Sequence, residues 1–274
     1  MKTPSRFAGA LPFLALLLLL IGLWLPGHPA LAATVPVIRE DLEYKVSLGP
    51  SSNVGLAHLV LKELGPGRYL AEVSGTTQGV WRLSNRWLPV RYQTEMIHRE
   101  GRLVPLICRE EFISQGKRVV KEYRFDYECG HLSLWRQAEG FETVKQWEVP
   151  LKSPVYDLLS LFYNLRLGVF GPLPGGSTLK VMVLSTLAPQ EMVFVIGGNT
   201  EVGRKVTLDH CRTKSKPAKQ YVIYLNPEQV PTLALTHVPL FGKFTAHLLN
   251  PGEIRKEGLL ALPPCAALVP KAQP

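Results

Sequence analysis

The chain has 274 residues, with 31 Lys and Arg against 22 Asp and Glu, a formal net charge of +9. That excess is modest and spread along the chain: too diffuse for a nucleic-acid surface, but compatible with an anionic membrane surface. The length suits one large β domain, and none of the spacings among the 4 cysteines resembles a zinc site.

The first element is a leader. Lys2 and Arg6 precede an apolar run over 11–25, followed by Pro26, Gly27, Pro29 and the small-residue site Ala30, Leu31, Ala32. This is the layout of a secretory signal peptide spanning 1–32, with an uncleaved membrane anchor as the alternative. Removing the first 32 of 274 residues leaves 242, expected in the periplasm or at the outer membrane. No later segment approaches the run of about 18 apolar residues that a transmembrane helix needs.

Strand signals then recur. "GLAHLVLKEL" and "RYLAEVSG" are joined by a tight "GPGR" connection. In "WLPVRYQTEMIH", Leu88, Val90, Tyr92 and Met96 share one face. "LVPLICREEF" and "VVKEYRFDYE" form a second hairpin across "SQGKR", with Tyr123, Phe125 and Tyr127 alternating with Glu122, Arg124 and Asp126. Cys108 and Cys129 flank this hairpin and are the favoured disulfide pair. A turn near Gly116 sets Cys108 opposite about residue 124, so free buried thiols stand beside that pairing as an equal reading. "HLSLWRQ" and "ETVKQWEV" continue the pattern.

"SPVYDLLSLFYNLRLG" departs from it. The spacing of Val155, Leu158, Leu159, Phe162 and Leu165 predicts a helix over 154–167 with one apolar face. Ser153 is the expected cap, Pro154 suits the first helical position, and Gly168 can end the helix. After "GVFGPLPGGST" six further strand segments run to about residue 249, and an irregular tail follows over 251–274. About a dozen antiparallel strands are too many for one flat sheet. The expected fold is mainly β, a curved antiparallel sheet or partly open β-barrel over 33–250, with one inserted amphipathic helix filling the concave side.

The residues "YKVSLG", "REEFISQGKRVVKEYRFDYECGHL", "SPVYDLLSLFYNLR" and "HVPLFGKFTAHL" resemble a bacterial envelope family called domain of unknown function 3108, over about 44–249. The resemblance implies an exported protein with a curved sheet like that of lipoprotein carriers and lipocalins. It implies no catalytic residues.

No local motif carries a reaction. "GPLPGGST" lacks the lysine of a phosphate loop, "DHC" places neighbours on opposite strand faces, and the histidines are scattered singly. The carboxylate pairs Glu110/Glu111 and Asp126/Glu128 read as solvent-facing charges. Arg212, Lys214, Lys216 and Lys219 form a basic segment suited to a solvated loop or to an anionic membrane surface. Aromatics on inward faces fill a core or line a pocket. The leading expectation is a non-enzymatic envelope protein without a cofactor or metal. It would bind an apolar or lipid-like molecule between sheet and helix, through Trp81, Trp87, Tyr92, Phe125, Leu158 and Phe162. The alternative is an assembly module with a filled core that works through protein contacts.

Overall fold

The computed structural model describes residues 36–78, 91–151, 153–184, 188–209, 220–238 and 242–250. The leader, Trp81, Trp87, Cys211, Cys265, the basic segment with Arg212, Lys214, Lys216 and Lys219, and the tail from 251 lie outside the described residues.

Period-two patterning yields strands wherever it was strong. In β6 (Lys117–Asp126) Val119, Tyr123 and Phe125 are buried, whereas Arg124 and Asp126 are exposed. Before it come β1 (Val37–Leu48), β2 (Ser51–Gly65), β3 (Arg68–Thr77), β4 (Arg91–Arg99) and β5 (Arg102–Ser114). After it come β7 (His131–Ala138), β8 (Val144–Pro150), the helix α1 (Leu158–Arg166), β9 (Thr178–Leu184) and β10 (Pro189–Thr200). The chain continues through β11 (Gly203–Asp209), β12 (Gln220–Leu225), β13 (Pro231–Val238) and β14 (Gly242–Leu248).

The fourteen strands of the described residues join one antiparallel sheet in the order β8-β7-β6-β5-β4-β3-β2-β1-β14-β13-β12-β11-β10-β9. The meander therefore starts in the middle of the sheet, at β1, and β14 returns beside it. The edges are β8 and β9, the two strands that flank α1 in sequence. The sheet is open and curved, and Leu184 of β9 packs in one buried cluster with Tyr123, Phe125, Leu132 and Leu134 from the other wing. Among the described residues no helix is long and apolar enough to cross a membrane.

The lead-in to the helix spans the two edges. The Leu151 N–H donates to the Gly130 carbonyl at 2.8 Å, extending the pairing with the β7 side. Tyr156 then makes one parallel bridge to Val183: its N–H donates to the Met182 carbonyl at 3.0 Å, and its carbonyl accepts from the Leu184 N–H at 2.7 Å. Five residue steps reach at most about 18 Å, which bounds the gap between the wings at this level.

The helix is shorter than expected, and its cap is different. Pro154 to Tyr156 are not helical, because Tyr156 commits its backbone to β9. Asp157 is the cap instead of Ser153. Its Oδ1 accepts from the N–H groups of Leu159 (2.9 Å) and Ser160 (3.4 Å), and the Ser160 hydroxyl accepts from the Asp157 N–H at 3.0 Å. This is a reciprocal capping box. Leu167 closes the helix, and Gly168, at φ +70°, takes the left-handed turn out of it.

The buried face is also rotated from the expected apolar stripe. Leu159, Ser160, Leu161, Tyr163 and Asn164 are buried, whereas Leu158 is 53% exposed. Leu159 and Tyr163 join the core built on β1 to β5, and Leu161 joins the core of β9 to β11. The helix thus fills the curl and touches both wings.

Candidate functional site

Three polar anchors seat the helix. The first is Asn164, fully buried, whose Oδ1 accepts from the Leu103 N–H at 2.9 Å and whose Nδ2 donates to the Leu103 carbonyl at 2.7 Å. Register explains why Leu103 is available. Pairing of β5 with β6 stops at Ile107 and Arg124, so the start of β5 runs on without a neighbour on that side. The Asn164 amide supplies the missing donor and acceptor, as a strand would.

The second anchor is ionic. Glu40 of β1 is 1% exposed, and both its oxygens accept from Arg166 Nη1, at 2.5 and 2.6 Å. The Tyr163 hydroxyl donates to the same carboxylate at 3.1 Å. The Arg166 guanidinium also lies over the rings of Phe162 (5.3 Å) and Tyr163 (5.8 Å). Burial, and next the Glu40 charge, push the Tyr163 phenol well up, so it is a neutral donor.

The third anchor is the cap. Thr94 Oγ1 donates to Asp157 Oδ1 at 2.7 Å, and the Tyr92 hydroxyl reaches the same oxygen at 3.4 Å. Asp157 Oδ2 is buried without a hydrogen-bond partner among the described residues. Cys108 lies across the strand pair from Thr94 and is fully buried. Burial, then Asp157, push its thiol well up, which makes it an inert thiol.

The sequence-predicted site residues divide accordingly. Tyr92 is half-buried and packs against two cores, that of β1 to β5 and that of β5 to β7. Phe125 belongs to the second core and stacks on Tyr127 at 6.3 Å, whereas Phe162 packs against the first. Leu158 points outward. The structure therefore does not gather these four into one apolar pocket. Of the two readings for Cys108 and Cys129, the disulfide is not formed and both are free thiols: Cys108 is buried and faces Tyr123, whereas Cys129 is exposed in the turn beyond β6.

Glu110 also departs from expectation. Its position in β5 shares the face of Cys108, opposite Lys121, and burial raises its carboxyl while Lys121, with Nζ 3.6 Å away, opposes this. Glu111, in contrast, pairs with Arg118 on the exposed face. Sequence reasoning missed the anchors Glu40, Asn164 and Arg166. The available signal for Asn164 was its spacing of four from Ser160, two polar residues among the apolar and aromatic positions of Leu158 to Leu165. Among the described residues no three His, Cys, Asp or Glu converge to hold a metal ion.

Beside the seated helix, the lead-in leaves a cleft of about 340 Å³ against the start of β5 and the turn after β6. Val104, Pro105, Leu151 and Val155 give it an apolar wall, and Arg99, Glu100, Arg102 and Tyr127 stand at its polar side. A cleft of this size is at the small end of the range of small-molecule sites.

A family model described as "Protein of unknown function (DUF3108)" matches residues 43–196, from β1 through α1 into β10. No curated protein and no solved structure matches the chain. With more than half of its length matched, including the helix and most of the wing that seats it, the chain belongs to the DUF3108 family.

Proposed function

We propose that the protein is an exported, non-enzymatic binding protein that takes an apolar or lipid-like small molecule between the curved sheet and the lead-in to its helix. The observation that carries this reading is the cleft itself. There Val104 and Pro105 of the sheet and Leu151 and Val155 of the lead-in line an opening beside the core that Val155 and Leu151 help to pack. Apolar area withdrawn from water there favours binding by about 25 cal/mol per Å² before ordering costs. The basic and apolar pattern over 1–32 supports export to the periplasm or outer membrane, and the basic residues Arg212, Lys214, Lys216 and Lys219 favour approach to an anionic surface. In this reading the helix is a fixed plug, because its three anchors hold it.

Native mass spectrometry of the protein recovered from its own envelope, without solvent extraction, tests the proposal. A stoichiometric adduct of lipid-like mass is expected. Ligand-free protein held in a stable complex with other chains would instead favour the assembly reading. That second reading draws on the packing directly beneath α1, where Leu159, Tyr163 and Leu161 fill the interior with side chains.

A further inference from the structure

Resting on this binding reading, we propose that the cleft recognises a single-chain amphiphile by its anionic head, a carboxylate or phosphate held by Arg102 and Tyr127. The β4–β5 turn supplies the first reason. Its two central residues, Glu100 (φ +52°) and Gly101 (φ +75°), both take positive φ, as a two-residue hairpin of the primed type requires. This tight turn sets Arg99 directly opposite Arg102 as the closing pair. Like charges placed opposite each other on a strand pair oppose folding. The neighbouring carboxylate, Glu100, is 68% exposed and 3.9 Å from Arg99, so it offsets little of that repulsion. Arg99 is itself 59% exposed, so water screens part of the repulsion, and an anion seated between the arginines removes the rest.

Unmet donors give the second reason. Arg102 Nε and the Tyr127 hydroxyl are both buried and meet no hydrogen-bond partner among the described residues. Both belong to the lining of the cleft. A guanidinium donates only, and its fork matches the paired oxygens of a carboxylate or phosphate. Burial, followed by Asp157 and Tyr156, pushes the Tyr127 phenol well up, with Arg99 opposing, so Tyr127 is present as a neutral donor. Glu100 also lines the cleft but is largely exposed, so water screens its charge, and the group that best satisfies the two buried donors is an acceptor with negative charge.

The remainder of the ligand follows from the wall and the volume. Val104, Pro105, Leu151 and Val155 offer apolar contact to a chain, and about 340 Å³ suits one chain better than the two of a phospholipid.

Isothermal titration of the full-length protein with dodecanoate, dodecyl phosphate and dodecanol, all below their micelle-forming concentrations, tests the inference. The expected result is that one or both anions bind at least tenfold more tightly than dodecanol, the tighter of them showing which head group is preferred. Arg102→Gln should cut that preference to threefold or less. Tyr127→Phe, which keeps the ring, should lower anion affinity severalfold and serves if the Arg102 variant does not fold. Equal binding of anions and dodecanol overturns the head-group inference and leaves the binding reading standing. An anion preference undiminished in either folded variant also overturns it, because the head is then held elsewhere. Binding of none of the three probes overturns the inference together with the reading beneath it.

Discussion

Glu40 and Arg166 show what a single buried contact does in this fold. Glu40 sits on a strand whose neighbours Leu42 and Tyr44 are core residues, and water reaches neither its carboxylate nor, to any extent, the guanidinium, at side-chain exposures of 1% and 7%. Such a pair gains little net stability over an apolar replacement, because both charges were taken from water to make it. Breaking it is another matter. Arg166→Ala leaves a buried carboxylate with only the Tyr163 hydroxyl, and should destabilise the protein by about 3–5 kcal/mol. A double change of Glu40→Met and Arg166→Met removes both charges and should lie within about 2 kcal/mol of the parent. Urea unfolding of the three proteins checks this. A double variant as unstable as Arg166→Ala would show that the pair is itself a main source of stability.

At the scale of the element, α1 has nine residues, too few to be stable alone in water, so its helicity is owed to its ends and to the sheet. Asp157 serves both. It caps the first turn and accepts from Thr94 on β4, joining helix start to sheet through one oxygen. Asp157→Ala removes the cap and orphans the Thr94 hydroxyl, for an expected loss of about 2–4 kcal/mol. Asp157→Asn keeps a carbonyl oxygen for both partners and should cost less than about 1 kcal/mol. Thermal melts of the two variants distinguish them, and equal losses would mean that the negative charge, and not the acceptor, is what the site needs. The same residues show what the sequence disclosed. The alternation of Tyr123 and Phe125 is a local signal, and it placed β6 and its hairpin correctly. The end of the helix was legible from Gly168. The start was not, because Tyr156 leaves helical geometry to pair with β9, a contact between residues 27 apart that no local pattern encodes. The face was misjudged for a similar reason. An apolar count cannot foresee that Asn164 finds its partners on Leu103, 61 residues away. The cleft was invisible for the same cause: its arginines flank one turn, and its other wall arrives from a distant lead-in.

On the scale of the whole sheet, the order of strands decides how much chain is needed to fold. The family match ends at residue 196, within β10, yet β1 lies between β2 and β14. The last strands are therefore not an appendage. They cover the open side of β1 across the register from Tyr44↔Leu248 to Leu48↔Phe244. Asn250 reinforces the seam, accepting from the Glu43 N–H at 2.9 Å and donating to the Asp41 carbonyl at 3.1 Å. Val230, just before β13, is fully buried in the same core as Leu42 and Tyr163. A fragment of residues 36–196 would leave β1 and β10 with bare edges, each a template for pairing with another chain, and would open the core beneath α1. It should purify as aggregate or soluble oligomer and lack a cooperative melt, whereas residues 36–250 should elute as a single species with a sharp transition. Size-exclusion chromatography with near-ultraviolet circular dichroism reads both. A monomeric 36–196 fragment with a cooperative transition would mean that the matched segment closes on itself without β14, and that the sheet has two independently folding wings.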